Sequence, residues 1–141
     1  MYKVLLAGLL SAGLAVVANI CLKSAGRAGM TYYGPLLEEC LKTGWALILN
    51  VSVPGVHIFF GVFEALGDCV WGGGFNRLAA LSAVVAHTVF GLITYFTLSA
   101  GYPAITSILA AAGIHILWNA GVLRVSESKK TSGKQGRRGS V

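Results

Sequence analysis

The chain has 141 residues, of which 55% are hydrophobic and only 11% charged, with a net charge of +6 and a mean hydropathy of +0.73. A soluble domain carries roughly a quarter charged residues, so this composition excludes an ordinary water-soluble enzyme. Arg124 and the residues after it hold six of the eleven basic residues, so the excess charge belongs to a tail and does not argue for a nucleic-acid partner.

Five segments are apolar enough to cross a hydrocarbon layer of ~30 Å, which takes about 20 helical residues. In chain order they are Val4–Leu22, Pro35–Val53, Pro54–Trp71, Leu78–Ser99 and Pro103–Leu123. All three prolines, Pro35, Pro54 and Pro103, stand at expected helix starts, where the missing N–H has no partner to lose. Gly34, the Gly72–Gly74 run and Gly101 are the expected turn residues. The first segment follows Lys3 and resembles a secretory leader, but its apolar run is long and four further spans follow, so it reads as a retained helix. The expected organisation is a five-helix transmembrane domain over 1–125 and a disordered basic tail over 126–141. Cys21, Cys40 and Cys69 are odd in number and lack CxxC spacing, so they read as small buried apolar residues rather than a disulfide framework.

Charge sets the expected topology. When segment ends are assigned alternately to two sides, nine basic residues fall on one side and only Lys3 on the other. By the positive-inside rule the chain is a multi-pass membrane protein with its N-terminus outside and its C-terminus in the cytoplasm.

Four of the five acidic residues and all three histidines lie inside the apolar segments: Glu38, Glu39, Glu64, Asp68, His57, His87 and His115. Each costs roughly 2.5–3.5 kcal/mol at the middle of a bilayer, which makes them functional candidates as a set. Counted along their helices at 1.5 Å per residue, most fall within ~5–15 Å of the cytoplasmic face. His57, Glu64 and Asp68 share one face of the third helix, and His115 and Asn119 stack one turn apart on the fifth. His57 and Asp68, nearest opposite ends of their helix, read as interfacial or structural. The i, i+4 spacing of Glu38 and Lys42 favours an ion pair between them. Glu38 and Glu39 diverge by ~100°, so one is free to face a cavity as a general base while the other orients a histidine.

These residues stand in a familiar order. EECLK (Glu38–Lys42), FFGVFE (Phe59–Glu64), HTVFG (His87–Gly91) and HILWN (His115–Asn119) resemble the four motifs of the superfamily of CAAX-prenyl endopeptidases, bacteriocin-processing proteases and PrsW- and YhfC-like proteins. The resemblance spans Pro35 to Leu123 and implies an all-α membrane bundle with a four-helix catalytic core. It further implies a metal-dependent endopeptidase in which a glutamate-activated water attacks a peptide bond of a membrane-associated substrate. Glu38 and Glu39 would be the catalytic carboxylates, Asn119 would steady an oxyanion or a ligand, and Glu64, His87 and His115 would hold zinc or another divalent metal. A site that polarises water without metal is the alternative chemistry. An inactive scaffold or immunity-type protein of the same fold is the alternative function.

Overall fold

A computed structural model describes the backbone of residues 1–71 and 76–138 and the side chains of 1–70 and 76–124. Among the described residues every regular element is helical, and there is no strand. The helices are α1 (Tyr2–Leu22), α2 (Gly34–Ile48), α3 (Val53–Trp71), α4 (Arg77–Ser99) and α5 (Ala104–Arg138). Among the described residues four helical stretches contain a run long and apolar enough to cross a membrane, the first of them within Tyr2–Ile48.

The second expected span is where the structure departs from the sequence reading. α2 has 15 residues, about 22 Å at the standard helical rise, and ends at Ile48, five residues before the expected Val53. It begins at Gly34, which is helical and makes no turn. The reversal falls instead at Gly26, whose φ of 60° suits a residue without a Cβ. Short 3-10 and α-helical turns and a π-helical turn (Gly29–Tyr33) link Gly26 to its neighbours, so the connection from α1 to α2 is almost wholly helical. Gly101 has φ 86° and marks the turn into α5, as its spacing suggested. The Gly72–Gly74 turn lies outside the described residues. Pro35 and Pro54 occupy the first turns of α2 and α3, and Pro103 directly precedes α5.

α5 does not stop at Leu123 but continues to Arg138, through residues whose composition suggested disorder. Adding a residue to an existing helix is far cheaper than nucleating one, and this stretch contains no proline. None of the three cysteines is buried: Cys21 is exposed and Cys40 and Cys69 are half-buried, all three as free thiols.

The burial pattern is inverted relative to a soluble protein. Leucine, isoleucine, valine and aromatic side chains cover the outside, from Leu5 and Leu9 on α1 to Leu117 and Trp118 on α5. The apolar interior consists mainly of alanines, with Val53, Val56, Phe60 and Phe90. The largest fully buried side chains include Lys42, His57, His87 and Glu39. In water such a surface would be a large aggregation-prone patch; in lipid it is the solvated face. The chain is a membrane protein on these grounds.

The stripe that α2 turns inward shows how this arises. Gly34, Pro35, Glu38, Glu39, Lys42, Thr43 and Ala46 are buried, a helical repeat whose inner face is the polar one. α1, α3 and α5 all pack against α2, α4 closes against α3 and α5, and the charged stripe of α2 is therefore surrounded by protein.

Candidate active site

Glu39 is the hub. It is fully buried, and its Oε1 accepts from Lys42 Nζ at 2.6 Å and from His115 Nδ1 at 2.9 Å. Its Oε2 lies 2.9 Å from His57 Nε2. One carboxylate thus ties α2 to α3 and α5. The sequence spacing paired Lys42 with Glu38; the structure pairs it with Glu39, three residues back on the same helix. Both spacings put two side chains on one helix face, and the choice is made by what surrounds them.

Lys42 also reaches out of its own helix. Its Nζ lies 2.9 Å from His87 Nδ1 and 4.5 Å from the centroid of the Phe60 ring. An ammonium carries only donors, so His87 Nδ1 accepts, and the remaining proton of a neutral ring sits on Nε2. Nε2–H then donates to Glu64 Oε2 at 2.6 Å. The order Glu64–His87–Lys42–Glu39 is a continuous hydrogen-bonded line across three helices. Lys42 has no exposed surface, and an unpaired charge there would be prohibitive.

His57, read from the sequence as interfacial or structural, is fully buried within the bundle. α2 ends at Ile48, short of the expected Val53, and its Glu39 meets the second turn of α3. His57 Nδ1 lies 3.0 Å from the Val53 carbonyl and Nε2 2.9 Å from Glu39 Oε2, so the ring bridges its own helix backbone and the carboxylate. Its position also depends on α4, because a Cβ on Gly91 would come within 2.7 Å of His57 Cβ. Only glycine lets α4 approach so closely.

Glu38 differs from its neighbour. Its Oε1 accepts from Asn19 Nδ2 on α1 at 3.2 Å, while its Oε2 is buried without a hydrogen-bond partner. Opposite it, at 3.9 Å, is His115 Nε2. His115 donates through Nδ1 to Glu39, so a neutral ring presents a lone pair at Nε2. Two acceptors therefore face one another, an arrangement suited to a guest that brings protons or positive charge. The His115 ring is held by Phe90, stacked at 4.5 Å.

Among the described residues, Glu38, His87 and His115 present ligand atoms that all lie within 4.8 Å of one another. The Glu38 oxygen is uncommitted, and Glu39 holds His115 from behind in the manner of carboxylate–histidine–metal arrangements. These residues fit a divalent ion, although both ring nitrogens of His87 are engaged and one must be released for it to join. The set that converges is not the Glu64, His87 and His115 set the motifs implied. Glu64 sits farther along α3 and reaches only His87 Nε2.

Asn119 is half-buried and takes no part in this hydrogen-bond network, and Asp68 is exposed. Asn19 was missed by the sequence reading altogether. A lone asparagine on an apolar helix was the available signal, but it lies outside the four motifs.

Glu38, Glu64 and Asp68 line a cavity of about 250 Å³ between α1 and α3, with Asn19 contributing from α1 and Lys23 from just past its end. It lies toward the end of the bundle where α1 and α3 finish. Glu39, Lys42 and His57 do not line it. Compared with known protein families, curated proteins and solved structures, the chain matches none.

Proposed function

We propose that the chain is an intramembrane peptide-bond hydrolase that activates water between Glu38 and His115. The observation that carries this reading is the buried Glu38 Oε2, without a partner and 3.9 Å from His115 Nε2, beside a cleft. A water there would donate one proton to the carboxylate and meet the imidazole lone pair with the other. Glu38 then takes the proton as oxygen attacks the carbonyl, and returns it to the departing amine. Asn19 fixes the carboxylate through Oε1, and Glu39 fixes the imidazole through Nδ1. The apolar walls contributed by Phe60 and Phe63 limit competing solvent. Glu38, His87 and His115 are the residues that would hold a divalent metal such as zinc, which when bound supplies Lewis acidity to the water.

The test is a cleavage assay on membrane-spanning peptides with purified protein in lipid. Glu38→Gln keeps the size and the Asn19 contact but removes the basic oxygen, so the rate is expected to fall by about 10²–10⁴. Full activity in both Glu38→Gln and His115→Ala ends the hydrolase reading. Metal analysis and chelation in the same assay separate the two chemistries: retained cleavage after complete metal removal selects the metal-free site.

The alternative, a non-enzymatic scaffold, is favoured by one feature. Both nitrogens of His87 and both oxygens of Glu39 are engaged, as in a polar core whose purpose is assembly. A protein whose Glu38 and His115 variants change partner binding but which cleaves nothing selects that reading.

Lys23 and Arg27 in the connection after α1, Arg77 at the start of α4 and Arg124 at the end of the α5 span all lie at the cleft end, which the positive-inside rule assigns to the cytoplasm. A reporter fused after Val141 is expected to read cytoplasm; a signal from the opposite side overturns that orientation.

A further inference from the structure

The cleft between α1 and α3 carries more negative charge than water activation requires. Three carboxylates line it, Glu38, Glu64 and Asp68, against a single ammonium, Lys23. Glu38 is only 8% exposed, and its Oε2 has no hydrogen-bond partner. Glu64 commits Oε2 to His87, and no hydrogen bond engages its Oε1 among the described residues. Asp68 stands one turn farther out on the same face of α3 and makes no hydrogen bond or ion pair among the described residues. Like charges at i, i+4 repel, and a cation between them relieves that cost. The walls are apolar and aromatic, with Phe60 and Phe63 on α3 facing Ala12 and Val16 on α1. At about 250 Å³ the cavity accommodates one long side chain and its flanking backbone, but not a helix of ~10–12 Å diameter.

We infer that this cleft receives a lysine or arginine side chain of the membrane-spanning peptide that the site processes. The apolar stem lies along Phe60 and Phe63, and the cationic head meets Glu64 and Asp68. Long basic side chains divide in this way at membrane interfaces, and aromatic faces add attraction for the cation. Basic residues are enriched just past the cytoplasmic ends of spans. Anchoring one in the cleft would place the peptide bonds at that end of the span beside Glu38. The inference rests on the hydrolase reading in taking the peptide as one the site processes, but the recognition itself is read without turnover. An ammonium could also come from an ethanolamine headgroup, and the experiment separates the two sources.

The full-length protein in phosphatidylcholine nanodiscs is titrated with fluorescent synthetic single-span peptides that differ only in ending with lysine or serine. The lysine peptide is expected to bind roughly tenfold tighter, a difference of ~1.4 kcal/mol. Asp68→Asn should erase most of that preference, and Asp68→Lys should transfer it to a peptide ending in glutamate. Equal binding of the lysine and serine peptides overturns the proposal without any change to the protein, so misfolding of a variant cannot protect it. Displacement of the lysine peptide when phosphatidylethanolamine replaces phosphatidylcholine overturns it in favour of a headgroup site. Selective binding without cleavage of any peptide leaves the recognition standing and refutes the hydrolase reading alone.

Discussion

Glu38 and Glu39 are adjacent in sequence and chemically identical, yet they occupy opposite kinds of environment. Glu39 faces the centre of the bundle, is fully buried and takes contacts from Lys42, His57 and His115. Glu38 faces the cleft beside α1 and leaves one buried oxygen unpaired. A buried polar group with all its partners holds helices together; one without them costs stability, about 1–3 kcal/mol or more for a charged group. Proteins keep such costs mostly where function needs them. The centre and the cleft should therefore respond to mutation in opposite ways.

The largest effect is expected at Lys42. Lys42→Met fills a similar volume but leaves Glu39 a buried charge without its cation, which costs about 3–5 kcal/mol. Thermal unfolding in a mild detergent should show a large loss of stability or no folded protein at all. Combining it with Glu39→Gln removes both charges and should recover much of the loss; failure to recover would mean that the ion pair is not what organises the centre.

The Glu38→Gln change should do the reverse. Asn19 retains its acceptor, and the new amide can donate toward His115 Nε2, so folding stability should hold within ~0.5 kcal/mol or rise. Should Glu38→Gln unfold the protein as Lys42→Met does, the distinction between the two glutamates would collapse.

Gly91→Ala tests the packing beneath His57. A Cβ would lie 2.7 Å from His57 Cβ and 3.1 Å from the Cα of Pro54, so α3 and α4 must separate. The expected loss is about 1–3 kcal/mol. Gly113→Ala is the control, since nothing lies within 4 Å of its added Cβ and helix propensity favours alanine by up to ~1 kcal/mol. Equal melting temperatures for the two variants would show that the close approach of α3 and α4 carries little weight. The smallest effect is expected at Asp68, where Asn should alter stability by less than ~0.5 kcal/mol while changing what the cleft binds.

Most of the helical layout was legible in the chain. Long apolar runs, prolines at helix starts and Gly101 located α1, α3, α4 and the membrane part of α5 to within a few residues. Gly34 was read as a turn from its residue type, while the reversal occurs at Gly26, because local propensity does not say which of several glycines a helical connection will use. At its other end α2 stops at Ile48 and not at the expected Val53, which brings Glu39 within reach of His57 near the start of α3.

Sequence alone determined that this chain belongs in a membrane and that its ionisable residues lie within the apolar segments, because composition and hydrophobic length are sums over residues and need no partner. It also determined that Glu38 and Glu39 point apart, since ~100° per residue is a property of the helix itself. Tertiary structure decided the rest. It assigned Lys42 to Glu39, grouped Glu38 and not Glu64 with His87 and His115, and drew Asn19 from α1 onto Glu38. Those choices depend on the rotation and offset of each helix against its neighbours. Small residues such as Gly91 set those quantities at contacts far apart in sequence, where one methyl group decides whether two helices can meet.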